Sequence, residues 1–327
     1  MNIMSKIVGM GSSVPKKRLT NFDLEKMVDT SDEWIFTRTG VKERRIADPG
    51  TTVAELAAPA AIDALKMAGV DSKELDLIIC ATSTPDMMFP STACAIQALI
   101  GAAECPAFDL LAACSGFVYS LSVADQFIRS GSSKTVLLVA SEIYSKMINW
   151  EDRGTCVLFG DGSAAIVLQA NNNSEGVLGS EIHSDGKFGS FIKAGGMPKR
   201  HNFSSEPQVE ADYFVVMKGS HTFKVAVKKM TDVSLSLLEK LTISPAEIDL
   251  IIPHQANERI MKAVAKSLNV DEGKVFNNIA GYGNTSAASI PLAMTEAYMA
   301  NRINKGDLVL TVAFGGGLTW GANLIRF

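Results

Sequence analysis

The feature that most constrains the fold is a repeat hidden in the chain. Glu74-Leu-Asp-Leu-Ile-Ile is matched by Glu247-Ile-Asp-Leu-Ile-Ile, and Lys134-Thr-Val-Leu-Leu-Val-Ala by Asp307-Leu-Val-Leu-Thr-Val-Ala. The step from Glu74 to Glu247 equals the step from Lys134 to Asp307. One offset shared by two separate segments points to an internal duplication, with halves at residues 1–173 and 174–327. Solenoid repeats run to about 20–50 residues, so a period this long describes two related domains. A chain of 327 residues also has the length of about two domains and can bury a core without a disulfide or metal.

Within each half, helical and strand patterns alternate. The first half reads as helix Ala54–Ala68, strand Leu75–Ala81, helix Ser91–Ile100, strand Ala107–Leu111, helix Ser115–Ser130 and strand Thr135–Ala140. The second reads as helix Thr222–Leu241, strand Ile248–Ile252, helix Asn257–Leu268, helix Ala287–Ala300 and strand Leu308–Ala313. Gly162–Leu168 and Gly321–Phe327 add a closing strand to each half, and the polar run Asn171–Gly176 connects them. Short unbroken apolar strands between helices predict an α/β protein whose sheets are covered on both faces.

The balance of 31 basic and 35 acidic residues, a net charge of −4, argues against wholesale nucleic-acid binding. The N-terminus carries no long apolar stretch of the kind a secretory signal needs. Val275–Thr295 and Leu308–Ile325 lack charges, but Asn, Pro and Gly interrupt the first and Gly315–Gly317 split the second, so no membrane span is expected. Five cysteines, an odd number with no CxxC, fit a reducing cytoplasm.

One of those cysteines has a reactive context. Cys114, in Leu110-Leu-Ala-Ala-Cys-Ser-Gly-Phe, falls at a strand-to-helix junction, where the helix dipole favours thiolate. A packing cysteine is the plain alternative, and it is the better reading for Cys80, Cys94, Cys105 and Cys156. His254 follows a strand in Ile251-Ile-Pro-His-Gln-Ala-Asn, at the end where α/β proteins gather their sites. Asn284, in Gly281-Tyr-Gly-Asn-Thr-Ser, precedes a helix and by itself reads equally as a cap. Subtracting the repeat offset places Asn284 opposite position 111, so Cys114 and Asn284 fall in nearly equivalent turns that a pseudo-dyad would face together. Gly315-Gly-Gly-Leu-Thr-Trp-Gly allows backbone N–H groups to approach a ligand, as an oxyanion hole requires, although a hairpin turn explains it too. Gly9-Met-Gly lacks the third glycine of a dinucleotide fingerprint, no phosphate loop is present, and His183, His201, His221 and His254 show no metal-ligand spacing.

Taken together, Ala113-Cys-Ser-Gly-Phe, Pro253-His-Gln-Ala-Asn257, Gly283-Asn-Thr-Ser-Ala-Ala-Ser and Phe314-Gly-Gly-Gly-Leu-Thr-Trp-Gly resemble the β-ketoacyl-acyl-carrier-protein synthase III family. Trp34 with Arg38-Thr-Gly, Phe89-Pro-Ser and Asp152-Arg-Gly-Thr add to the likeness, which runs from Gly9 to Phe327. The resemblance implies the thiolase fold, two duplicated halves in five layers (α-β-α-β-α), and a cytoplasmic homodimer. It implies a two-step reaction that starts fatty-acid synthesis. A cysteine takes an acyl group, most simply acetyl, from acyl-CoA. Malonyl on acyl carrier protein then loses CO₂ and attacks that acyl group to give a 3-oxoacyl product. No cofactor or metal is implied.

The same resemblance assigns roles. Cys114 is the nucleophile, and His254 and Asn284 hold the thioester oxygen during decarboxylation. The N–H groups of Cys114 and Gly316 form the oxyanion hole. Trp34 and Arg153 sandwich the CoA adenine, and Arg38, Gly219, Ser220 and Asn257 border the pantetheine tunnel, Ser220 standing where many relatives carry Asn. Phe89 reaches across the dimer to close the partner's acyl pocket. Arg259, Lys262 and Lys266, spaced on one helix face, with Lys224 and Lys228 beside them, would dock the acidic carrier protein. Elongating condensing enzymes carry a second His where Asn284 stands, and thiolases need a second Cys near the C-terminal glycines. The runner-up is a thiolase-fold ketosynthase of specialised metabolism using a longer primer. A papain-like hydrolase has the order Cys, His, Asn, but its nucleophile sits near the mature N-terminus with an aromatic close after it, whereas Cys114 lies far along this chain. A non-enzymatic acyl-binding protein would be expected to lack one of these positions.

Overall fold

The computed structural model describes residues 3–195 and 213–327. The first half runs β1 (Met4–Ser13), β2 (Arg18–Thr20), α1 (Asn21–Leu24), α2 (Asp32–Thr39), β3 (Glu43–Arg45), α3 (Val53–Ala68), β4 (Leu77–Ala81), α4 (Thr92–Leu99), β5 (Ala107–Leu110), α5 (Gly116–Arg129), β6 (Thr135–Glu142), α6 (Arg153–Cys156) and β7 (Gly162–Asn171). The second runs β8 (Gly176–Ser184), β9 (Ile192–Lys193), β10 (Val216–Met217), α7 (Gly219–Lys240), β11 (Leu250–Pro253), α8 (Glu258–Ser267), α9 (Ile279–Tyr282), α10 (Ser289–Met299), β12 (Leu308–Gly315) and β13 (Thr319–Arg326).

Two sheets share one topology. The first has the order β1-β7-β6-β4-β5 and the second β8-β13-β12-β11, extended by a parallel bridge from Ile251 to Val275. In each, the strand pair of the sequence repeat is parallel: β4 with β6, and β11 with β12. The starts of β4 and β11, of α5 and α10, and of β6 and β12 are each separated by the offset of the sequence repeat.

Five layers follow from where the apolar faces point. Along β4, Leu77 and Ile79 face inward to α5 and α10, while Ile78 and Cys80 face outward to the alanine face of α3, the period-2 alternation of a strand buried on both sides. Helix α5 presents Phe117, Leu121, Ala124 and Ile128 between the sheets, and α10 adds Ile290, Ala293 and Met294. Each large side chain buried there contributes about 1.5–3 kcal/mol. Helices α7 and α8 cover the outer face of the second sheet through Met230, Leu237, Ile260 and Val264.

Helix α3 begins at a capping box between Thr52 and Glu55 and ends at Gly69 in left-handed conformation, as its sequence dictates. The Gly9-Met-Gly11 pair has a structural purpose: a Cβ at Gly9 would lie 2.1 Å from the Ala64 carbonyl, and one at Gly11 2.2 Å from that of Ala60. These glycines let α3 lie directly on β1, a strand that the sequence patterns did not single out. Strand β8 was likewise unmarked; its pairing with β13 is what identifies it.

Candidate active site

A cavity of about 500 Å³ opens where the two halves meet, and Cys114, His254 and Asn284 all line it. Cys114 sits in a 3₁₀ turn, Ala113–Ser115, that leads straight into α5. Gly116 allows the turn to meet its counterpart, since a Cβ there would lie 3.0 Å from that of Ala287 and 3.2 Å from that of Ala81. On the other side the glycine run presses on the same turn: a Cβ at Gly315 would be 2.8 Å from the Cys114 amide nitrogen, and one at Gly316 3.6 Å from the Ala113 Cβ. Any larger residue at position 315 would displace the nucleophile's backbone.

His254 follows β11, its N–H donating to the Val312 carbonyl at 2.8 Å. Its Nδ1 lies 2.6 Å from Ser289 Oγ, which accepts from the Gln255 N–H at 3.3 Å. In the tautomer in which Ser289 donates to Nδ1, the ring proton sits on Nε2. Burial pushes His254 down to about 3, so the imidazole is neutral. Asn284 is fixed through its backbone to residues 158–160 at 2.8 and 3.0 Å, and its Oδ1 accepts from the Ser286 N–H at 2.8 Å. Two neutral N–H donors therefore border the cavity, the arrangement that suits an oxygen gaining negative charge.

The thiol differs from the dipole expectation. Burial raises Cys114 from an ordinary value near 9 to about 12, opposed by the Ser286 hydroxyl and the Asn284 side chain. A helix N-terminus offers up to about 2 kcal/mol, roughly one and a half pK units, which is less than the rise that burial causes. The resting group is a thiol, and ionisation must accompany attack.

Of the other residues singled out, Arg38, Gly219, Lys224, Asn257 and Arg259 also line the cavity. Asn257 caps α8 through the Arg259 N–H and donates to the Arg38 carbonyl at 2.9 Å, so it ties α2 to α8 at the mouth. The guanidiniums of Arg153 and Arg38 lie 4.8 and 4.9 Å from the Trp34 ring. Arg153 and Arg38 thus both lie against the indole. The side chain of Ser220 lies outside the described residues, as does His201. Phe89 is 84% exposed and does not line its own chain's cavity. Arg259, Lys262 and Lys266 are carried on α8, and Lys224 and Lys228 on the adjoining α7. Lys262 pairs with Glu258 and Lys228 with Asp232, which reduces the patch's net field. All five cysteines are free. No helix among the described residues is long and apolar enough to cross a membrane.

Sequence reasoning missed Tyr144, Phe159, Met217 and Phe223, which supply much of the apolar lining. Tyr144 stacks on Phe159 at 4.8 Å beside the thiol. It also missed Glu142, and it quoted Ser286 and Ser289 within the Gly283–Ser289 motif without a role of their own; their nearness to Cys114 or His254 in space gives them one.

A duplicated five-layer α/β sandwich with a buried thiol at the junction of its halves is the architecture of the thiolase-fold condensing enzymes, a class of acyltransferases. Comparison with known proteins narrows this. Residues 108–186 match the family described as 3-oxoacyl-[acyl-carrier-protein (ACP)] synthase III, and residues 238–327 match its C-terminal family. The chain is 50% identical over 330 residues to the β-ketoacyl-[acyl-carrier-protein] synthase III of Caldanaerobacter subterraneus subsp. tengcongensis, covering 99% of this chain and 98% of that one. It is 50% identical over 325 residues to the enzyme of the same name from Aquifex aeolicus, covering 99% of each. The crystal structure of 3-oxoacyl-[acyl-carrier-protein] synthase III from Aquifex aeolicus superimposes with a TM-score of 0.93 at 49% identity, over 99% of this chain and 100% of that one. The chain belongs to the β-ketoacyl-[acyl-carrier-protein] synthase III family.

Proposed function

We propose that this enzyme condenses a short acyl-CoA with malonyl-acyl carrier protein, releasing CO₂ and CoA and giving the 3-oxoacyl-carrier product that starts fatty-acid synthesis. The observation that carries the reading is the convergence of Cys114, His254 and Asn284 on one cavity from elements of both halves. Cys114 forms the acyl-enzyme. The Nε2–H of His254 and the side-chain NH₂ of Asn284 then hold the malonyl thioester oxygen as CO₂ leaves and enolate charge appears. The backbone N–H groups of Cys114 and Gly316 hold the oxyanion of acyl transfer. Full-length identity near one half to enzymes of this name supports this reading over a specialised ketosynthase with a longer primer.

Trp34, Arg153, Arg38, Gly219, Ser220 and Asn257 are assigned to CoA, and Lys224, Lys228, Arg259, Lys262 and Lys266 to the carrier protein. We assign a cytoplasmic homodimer, in which Phe89 serves the partner's acyl pocket, with halves divided between positions 173 and 174.

Mass spectrometry after incubation with acetyl-CoA tests the first step. One acetyl mass on Cys114, absent from Cys114→Ser, is expected. His254→Ala should still take up the acetyl group while CO₂ release from malonyl-carrier falls at least about 10²-fold, the scale of losing an oxyanion donor. Equal loss in both steps would refute the division of labour, and acylation elsewhere in Cys114→Ser would remove Cys114 from its role.

A further inference from the structure

The mechanism above leaves one group unused. Glu142, the last residue of β6, is fully buried, and no ion pair among the described residues holds its charge. It occupies the position in the first half that Gly315 holds in the second, as the repeat offset aligns them. Gly315 presses on the turn of Cys114, and Glu142 correspondingly ends near the turn of Ser286.

Hydroxyl groups join this acid to the thiol. Ser83 Oγ donates to Glu142 Oε1 at 2.8 Å and lies 2.9 Å from the Tyr144 hydroxyl. Ser286 Oγ is 3.4 Å from that hydroxyl and 3.5 Å from Cys114 Sγ. The Thr84 hydroxyl and the Ser83 N–H hold Glu142 Oε2 at 2.8 and 3.0 Å. Each hydroxyl is both donor and acceptor, so the line can reverse its polarity as a unit. The two links at Ser286 are long, as catalytic hydrogen bonds often are before substrate is bound.

We propose that Glu142 stores the Cys114 proton during the catalytic cycle, receiving it through Ser286, Tyr144 and Ser83 as the thiol attacks and returning it when condensation frees the cysteine. The inference rests on Cys114 being the acylated nucleophile. In the first step a bond forms from Cys114 Sγ to the acyl carbon, and the bond from that carbon to the CoA sulfur breaks. The electron pair leaves with the CoA thiolate, which takes a proton from solvent. The thiol proton passes to Ser286 Oγ as that group's own proton moves to Tyr144, and so through Ser83 to Glu142. In the second step the malonyl C–CO₂ bond breaks and the enolate carbon bonds to the acyl carbon. The Cys114 sulfur departs with its electron pair and recovers its proton along the same hydroxyls. The cycle consumes one proton from solvent and leaves both Cys114 and Glu142 as they began.

Two further observations favour this acceptor. His254, the other candidate base, is held well below neutrality by burial, and its Nδ1 is occupied by Ser289. Burial lifts Glu142 to about 6 against the pull of the Ser83, Thr84 and Ser286 hydroxyls, so the acid is ionised at neutral pH yet within reach of protonation. A fully solvated carboxylate would be too weak a base.

Infrared difference spectroscopy of the full-length enzyme before and after acetyl-CoA, paired with rapid-quench mass spectrometry, decides the matter. Acylation of the wild type should raise the carbonyl stretch of a protonated carboxyl group, shifted in D₂O and missing from Glu142→Gln. Single-turnover acylation should slow by about 10²-fold in Glu142→Gln and by about tenfold or more in Tyr144→Phe. Ser83→Ala should slow it likewise, and these two hydroxyl deletions carry the test if Glu142→Gln does not fold. Acetyl mass on wild-type Cys114 with no carboxyl signal, or variants that acylate about as fast as wild type, overturns the relay and leaves the proposed function standing. No acetyl mass on wild-type Cys114 overturns the proposed function itself, and the relay with it.

Discussion

Ala113 and Ser286, equivalent positions of the two halves, hold the same left-handed backbone, with φ of 47° and 51°. Each is the first residue of a 3₁₀ turn that runs into a central helix. Left-handed conformation costs a residue with a Cβ about 1–2 kcal/mol, and its presence at both sites marks a constraint inherited by both halves. The strict counterpart of Cys114 is therefore Ala287, and that of Asn284 is Leu111. One turn carries the thiol. The other carries Ser286, against which that thiol rests.

Closeness of the two turns is testable at Gly116. Gly116→Ala places a methyl 3.0 Å from the Ala287 Cβ and should destabilise the protein by about 1–3 kcal/mol. Gly281→Ala, where a Cβ meets nothing within 4 Å, should leave the melting temperature unchanged or raise it slightly. Scanning calorimetry of the two variants separates packing from backbone effects; equal stability would show that the turns have room to part.

Alkylation of Cys114 by iodoacetamide tests the balance between burial and dipole. Only thiolate reacts, and with the thiol at about 12 the thiolate fraction grows tenfold per pH unit throughout the range below that value. The rate should climb steadily from neutral into alkaline pH without levelling. The raised thiol also has a stability consequence with a definite sign. Because the folded-state value lies above the unfolded one, the thiol loses protons later in the folded state. Its contribution is complete below about 9 and is reduced as pH rises towards 12, where the folded chain must keep a buried thiol that the unfolded chain ionises freely. A rate plateau just above neutrality would mean that the helix terminus wins.

Carrier recognition should depend unequally on the five cations. Lys262 and Lys228 already have carboxylate partners, whereas Arg259 and Lys224 line the cavity mouth. Arg259→Glu should weaken use of malonyl-carrier strongly and in a salt-dependent way while sparing acetyl-CoA, and Lys262→Glu should do so less. Steady-state kinetics at two ionic strengths, with each substrate varied, provides the check. Loss shared equally between the two substrates would count against docking here.

Primer length should follow the aromatic walls. Acetyl-CoA or propionyl-CoA is the expected primer. Phe89→Thr should move preference towards four- to six-carbon acyl groups by roughly tenfold, since each methylene accommodated contributes about 0.8 kcal/mol. Phe159→Ala, which removes the ring stacked on Tyr144, should act in the same direction from within the chain's own cavity. Competition of acyl-CoAs for Cys114, read by mass, measures both. A wild type preferring octanoyl-CoA would revive the specialised ketosynthase.

By itself the sequence determined the duplication, the α/β class and the order of most strands and helices, and it singled out Cys114, His254 and Asn284, which the fold brings to one cavity. Those features are written locally, in a repeated strand motif, in apolar periodicity and in short turns beside chemically distinctive residues. Tertiary structure decided the rest. Strands β1 and β8 carry no strong local pattern, because their place depends on partners in β7 and β13. Position alone shows only the dipole at Cys114, whereas burial of the thiol pushes the other way, because desolvation is a property of everything packed around a group. Tyr144 and Glu142 gave no sequence signal, and Ser286 and Ser289 stood only as members of the Gly283–Ser289 motif, since Ser, Tyr and Glu are common residues whose meaning arises only from what they touch. The line from Cys114 to Glu142 draws on Ser83, Tyr144 and Ser286, and it exists only because two stacked halves bring strand ends and turns from distant parts of the chain into contact.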